Sequence, residues 1–195
     1  MIAAALLTLA QPAAAAPAPQ PAPRTLAQDR LDVCMNQART DPTTAIAEAS
    51  AWERETAGEN RSEAQQCLGV AYTALLRWEA AERAFFAARE AAPAADHFRR
   101  AQLAAMAGNA ALAEARGAAA QIAFDLAASD ADASGDTPLQ AIVQVDLARA
   151  LVLQGDTARA EATLASARTT KRLWSSASST SSRTASSETT KPGQL

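Results

Sequence analysis

The chain has 195 residues, a formal net charge of −3 and only 4% aromatic residues. Alanine fills 55 positions, so much of the 49% apolar content is methyl groups. No basic stripe with interleaved aromatics is present, which argues against nucleic-acid binding, and no apolar run reaches the ~20 residues of a membrane-spanning helix. Alanine has the best intrinsic helix propensity but buries little area. Thin, close-packed helical layers are therefore favoured over a broad core, and no alternating Val/Ile/Thr run suggests a strand. The composition predicts an all-α fold.

In chain order, residues 1–16 resemble a secretory signal. Ile2 to Ala10 is a short apolar core, and Ala13, Ala14 and Ala15 suit a signal peptidase, with a cut after Ala15 favoured. A basic start is missing, and an Ala/Pro leader on a cytoplasmic protein is the alternative. Residues 17–24 form a stiff Pro/Ala linker. Leu26 to Arg39 and Pro42 to Ala57 then read as a first helix pair, with Asp41-Pro42 as cap and first-turn proline.

The most informative stretch is Cys67 to Pro93, CLGVAYTALLRWEAAERAFFAAREAAP. Asn60 and Glu63 fit a helix start just before it. Leu68 and Tyr72 share one helical face. Gly69 leaves room for a second helix to approach. Ala81, Phe85 and Ala88 follow as a buried stripe, with Trp78 near the second helix's start, and Pro93 ends that helix. These residues, in the order L-G-x2-Y, A-x3-F, A and P, resemble one tetratricopeptide repeat. The family's usual Trp near the start of the first helix is Gln65 here.

One such pair cannot bury its own faces, so the resemblance implies more of them. Gly108 to Ala113 offers a second turn of the repeat's kind. Asp130 to Asp136 looks superficially like a calcium loop, but Ala141 stands where the twelfth ligand should be, so an acidic, solvated loop is expected. Pro138 to Gln154 gives a helix with Leu147, Ala148 and Leu151 in the signature places, followed by a turn at Gly155 to Ala160 and a stripe through Leu164 and Ala167. Four helix pairs result. From Ser175 to Thr190 the chain is almost all Ser, Thr and Ala, so 169–195 is expected to be a disordered tail. The abrupt break suggests an ordered array cut short by a frameshift or early stop.

The resemblance implies a short right-handed solenoid of stacked helix–turn–helix pairs over 25–168, with disordered N- and C-terminal segments. It also implies a concave face lined by first helices. Glu63, Gln66, Val70, Thr73, Phe98, Gln102, Met106 and Arg149 are the candidate groove residues, a mixed and mildly apolar set suited to an extended apolar or amphipathic peptide. Cys34 and Cys67 fall on first helices of neighbouring pairs, so a disulfide is one reading and two buried thiols the other. His97, the only histidine, reads as a helix-surface residue. No metal cluster, phosphate loop or catalytic set can be assembled, so neither an enzyme nor a cofactor is expected. The expected function is a non-enzymatic scaffold for a partner protein or peptide, periplasmic or secreted. The alternative is a self-associating structural protein, with Leu147, Leu151 and Leu164 as contact residues.

Overall fold

The computed structural model describes residues 24–56 and 60–187. The expected signal peptide and nearly all of the linker lie outside the described residues. Among the described residues there are eight helices and no strand. They are α1 (Leu26–Thr40), α2 (Pro42–Glu55), α3 (Asn60–Ala74), α4 (Trp78–Ala91), α5 (His97–Ala113), α6 (Gly117–Ser134), α7 (Thr137–Leu153) and α8 (Thr157–Ser187). Each helix packs on the next in the chain, and α1 also meets α3 as α5 meets α7. No described helix is long and apolar enough to cross a membrane.

Short side chains start several of these helices. Thr25 and Gln28 form a reciprocal capping box at α1,. Asp41 accepts from the Thr44 N–H at 3.1 Å, Asp96 from Arg99 at 3.1 Å and Asp136 from Leu139 at 2.8 Å, each satisfying an orphan donor of a first turn. The Thr44 hydroxyl also donates to Asp41. That bond, and then the Thr44 N–H, hold the Asp41 carboxyl below the ordinary carboxylate range,.

A repeat runs through α3 to α8. Three turns share one hydrogen-bond pattern. The Arg77 N–H reaches back to the Tyr72 carbonyl (2.9 Å), that of Arg116 to Ala111 (3.0 Å) and that of Asp156 to Leu151 (3.0 Å). A second bond runs from Leu76 to Thr73, from Ala115 to Leu112 and from Gly155 to Val152. These are Schellman closures. Each puts one residue in the left-handed region: Leu76 (φ 57°), Ala115 (φ 56°) and Gly155 (φ 82°).

The buried stripe repeats in the same register. Ala81, Ala120 and Ala160 are buried, as are Ala88, Ala127 and Ala167. Gly69 faces the ring of Phe85, and Gly108 faces Phe124 so closely that an added methyl would sit 2.6 Å from its Cε1. Here glycine is a seat for a phenyl ring. The chain turns instead at Glu114 to Arg116, so the turn expected at Gly108 to Ala113 is corrected: both residues lie inside α5.

Two further expectations change. Asp130 is in helix α6, with its side chain only 9% exposed. The interhelical turn is confined to Gly135 and Asp136, and the solvated loop shrinks to those residues. At the far end, 169–187 continue α8 as helix, where a disordered tail was expected. No proline or glycine interrupts the chain there. The Thr169 and Ser175 hydroxyls bond back to the Ala165 and Lys171 carbonyls, so both are satisfied within the helix. Residues 188–195 lie outside the described residues.

Cys34 and Cys67 form a disulfide between α1 and α3, with Cα atoms 6.0 Å apart. It lies in a core patch with Leu31, Ala38, Ala45, Trp52 and Leu68.

Candidate functional site

The expected groove residues divide into two sets along α3. Glu63, Gln66, Val70 and Thr73 follow one helical face at three- and four-residue spacing. The end carrying Glu63 and Gln66 is closed by Arg99 of α5. Its guanidinium donates to Gln66 Oε1 at 3.0 Å and to the Ser62 hydroxyl at 3.3 Å, and it lies 3.4 Å from Glu63 Oε1. Ser62 is fully buried and donates in turn to the Ala88 carbonyl at 2.8 Å. This ties α3, α4 and α5 together. Glu63 Oε2 keeps no hydrogen-bond partner.

The other end is open. Val70 and Thr73 of α3 and Met106, Asn109 and Ala110 of α5 line a depression of about 250 Å³, floored by Trp78 and Phe85 of α4. Its walls are largely apolar, and its volume suits one leucine-, methionine- or phenylalanine-sized side chain. The Asn109 amide stands exposed at its rim and accepts from Arg149 of α7 at 3.4 Å. Three expected groove residues, Val70, Thr73 and Met106, thus meet in one place, and Arg149 reaches it through Asn109. Gln102 is exposed on α5 outside the depression, and Phe98, 42% exposed at the start of α5, also stands apart.

The signature residues have structural posts. Leu68, Gly69, Ala81, Phe85 and Ala88 are buried. Tyr72 is half-buried, and its carbonyl closes the α3 turn. Pro93 stands just beyond the Ala92 cap of α4.

Behind this face lies a polar cluster. Asp130 Oδ2 accepts two bonds from Arg89, at 2.8 and 2.6 Å. Its Oδ1 lies 3.5 Å from both Arg100 Nε and His97 Nδ1. Arg100 also donates to the Arg89 carbonyl at 3.0 Å. One buried carboxylate therefore clamps the end of α4 to the start of α5 and to α6. His97 is half-exposed at the first position of α5, with one ring nitrogen turned toward this clamp. The calcium-like spacing of 130–136 finds no use as a cation site, because Asp130 is committed to guanidiniums and Asp136 caps α7. A second ion pair, Arg116 with Glu82 and Glu114, links the turn after α5 to α4.

Sequence reasoning missed Arg89, Arg99, Arg100 and Asp130. Arg89 and Asp130 are 41 residues apart, and no short-range pattern joins them. Leu147, Leu151 and Leu164, the expected self-association contacts, are taken up inside the last pair, where Leu147 and Leu164 pack against Leu151, Ala148 and Ala160. Leu151 is a core residue, and Leu147 and Leu164 are partly buried beside it.

The chain matches no protein-family model and no curated protein.

Proposed function

We propose that this chain is a non-enzymatic binding scaffold of the tetratricopeptide-repeat kind, a short right-handed array that holds an extended segment of a partner protein. The observation that carries the reading is the open depression between α3 and α5, walled by Val70, Thr73 and Met106 and floored by Trp78 and Phe85. In this reading α3 and α5 are first helices of neighbouring pairs, which would line the concave face of the array. An apolar anchor side chain enters the depression, and the exposed amide of Gln102, one helical turn before Met106 on α5, bonds to the peptide backbone. The repeated turns and the Gly–Phe seats support the array. Export to the periplasm is part of this reading and fits the bridged cysteines, because disulfides persist in oxidising compartments.

The test is selection of peptides from a random library on the full oxidised chain, followed by affinity measurement. Met106→Glu should weaken the selected peptides at least about tenfold, as expected for burial of a charge in an apolar anchor site. Ile122→Glu, on an exposed part of α6, should leave them unchanged. Equal binding to both variants overturns the groove.

A further inference from the structure

We propose that the Cys34–Cys67 bridge is a redox-controlled latch. An external dithiol opens it by attack at Cys34, and the α1/α2 hairpin then comes away from α3 while α5 to α8 stay folded. The first pair is thinly held apart from the bridge. Together α1 and α2 bury six residues, Leu31, Cys34, Ala38, Ala45, Ala49 and Trp52, whereas α5 and α6 bury seven each. The polar ties of α1 run to α2. Arg30 lies over the Trp52 ring at 4.7 Å and 3.5 Å from Glu55, and the Gln37 amide donates to Glu48 at 3.4 Å. Among the described residues no ion pair joins α1 to α3, and α2 meets α3 in one such pair at the surface, Glu53 with Arg61. Surface pairs of this kind contribute little. The covalent bond is thus the tie to α3 whose removal the hairpin cannot absorb, and nothing like the Asp130 clamp stands behind it.

The two sulfurs are not equally reachable. Cys67 is fully enclosed, while Cys34 keeps 5% of its surface and borders an open depression of about 200 Å³ with Arg30, Val33, Glu48 and Trp52. Arg30 and Glu48 balance each other there, so no net charge turns back an incoming thiolate. One thiolate of the dithiol attacks the Cys34 sulfur, the bond to Cys67 breaks, and Cys67 leaves as a thiolate that then takes up a proton. The second thiol of the reductant attacks the mixed disulfide. Cys34 is released as a thiol and the reductant departs as its own disulfide, two electrons having passed to the bridge. Release of the hairpin uncovers Ala64, Leu68 and Ala71 of α3, which the first pair otherwise covers.

This inference does not rest on the peptide groove. Amide hydrogen exchange of the full chain is compared before and after dithiothreitol, without denaturant. Protection in α1 and α2 should fall together by at least about a hundredfold, the effect expected when a cross-link closing a loop of this size is lost. Protection in α5 to α8 should not change. The double variant Cys34→Ser with Cys67→Ser should match the reduced chain with no reductant present, which separates the bridge from the reagent. In a second arm, glutathione is added with iodoacetamide present, and peptide mass spectrometry should find glutathione on Cys34 and the alkyl group on Cys67. Unchanged protection after dithiothreitol overturns the proposal. So does a loss spread evenly over all eight helices, or glutathione found on Cys67.

Discussion

The α5/α6 and α7/α8 hairpins follow one register but are held by different means. In the earlier pair, Gly108 seats the ring of the fully buried Phe124. In the later pair Ala148 and the half-buried Leu164 take those places. The earlier pair also carries Asp130, locked to Arg89 and near Arg100, whereas the matching residue of α8 is Thr170. The turn residue at left-handed φ is Ala115 in one and Gly155 in the other. A shared helical hairpin thus tolerates two core solutions, one built on a ring and an ion clamp, the other on aliphatic contact and a relaxed turn.

The clamp should give the largest effect. Asp130→Asn leaves Arg89 and Arg100 part-buried without their carboxylate, and urea unfolding should show a loss of about 3 kcal/mol, since breaking one partner of a buried pair strands the other. Thr170→Asn, at the matching place, should be nearly silent.

Next come the seats. Gly108→Ala gains helix propensity but drives a methyl into Phe124, and a net loss of about 1–2 kcal/mol is expected because overpacking exceeds the propensity gain. Ala148→Gly should cost about 1 kcal/mol from propensity alone, and adding Leu164→Phe should recover part of it. If Gly108→Ala stabilises, the ring-and-seat account of the earlier pair fails.

The turns should respond with opposite signs. Ala115→Gly removes a left-handed strain of about 1–2 kcal/mol while losing some backbone entropy, so thermal melting should rise slightly. Gly155→Ala should lower it. Leu76 is exposed, so Leu76→Gly should behave like Ala115→Gly.

Acid gives the smallest change, and it lies in the first pair, outside both hairpins. The Asp41 carboxyl titrates below its ordinary range because Thr44 binds its charged form. Unfolding returns it to about 3.9, so the unfolded chain takes up the proton first as pH falls. The stability is present above about pH 4 and is lost as pH drops through the folded value. Thr44→Val, which keeps the N–H but removes the hydroxyl, should flatten this part of the pH–stability curve without moving the neutral-pH behaviour of α5 to α8.

Local signals were legible where one residue type meant one thing. Asp41-Pro42, Gly69 where a second helix comes close, the stripe of Ala81, Phe85 and Ala88, and the turn at Gly155 could all be read from spacing. Gly108 misled because glycine has two meanings, a turn and a seat, and only the distance to Phe124 separates them. The turns at Leu76 and Ala115 were hidden because left-handed backbone is seldom built from leucine or alanine. Asp130 was hidden among neighbouring acidic residues, since its partners come from α4 and α5. The shared face of Glu63, Gln66, Val70 and Thr73 was legible from their spacing. Its division into a closed and an open end was not, because Arg99 closes it from another helix.

The bridge between Cys34 and Cys67 encloses all of α2 and the start of α3 in a covalent loop. A protease that cuts after Arg39, Arg54 or Arg61 therefore nicks the chain without releasing a fragment. The N-terminal piece leaves only once a reductant has also acted, so digestion should show intact mass on a non-reducing gel and two species after thiol treatment.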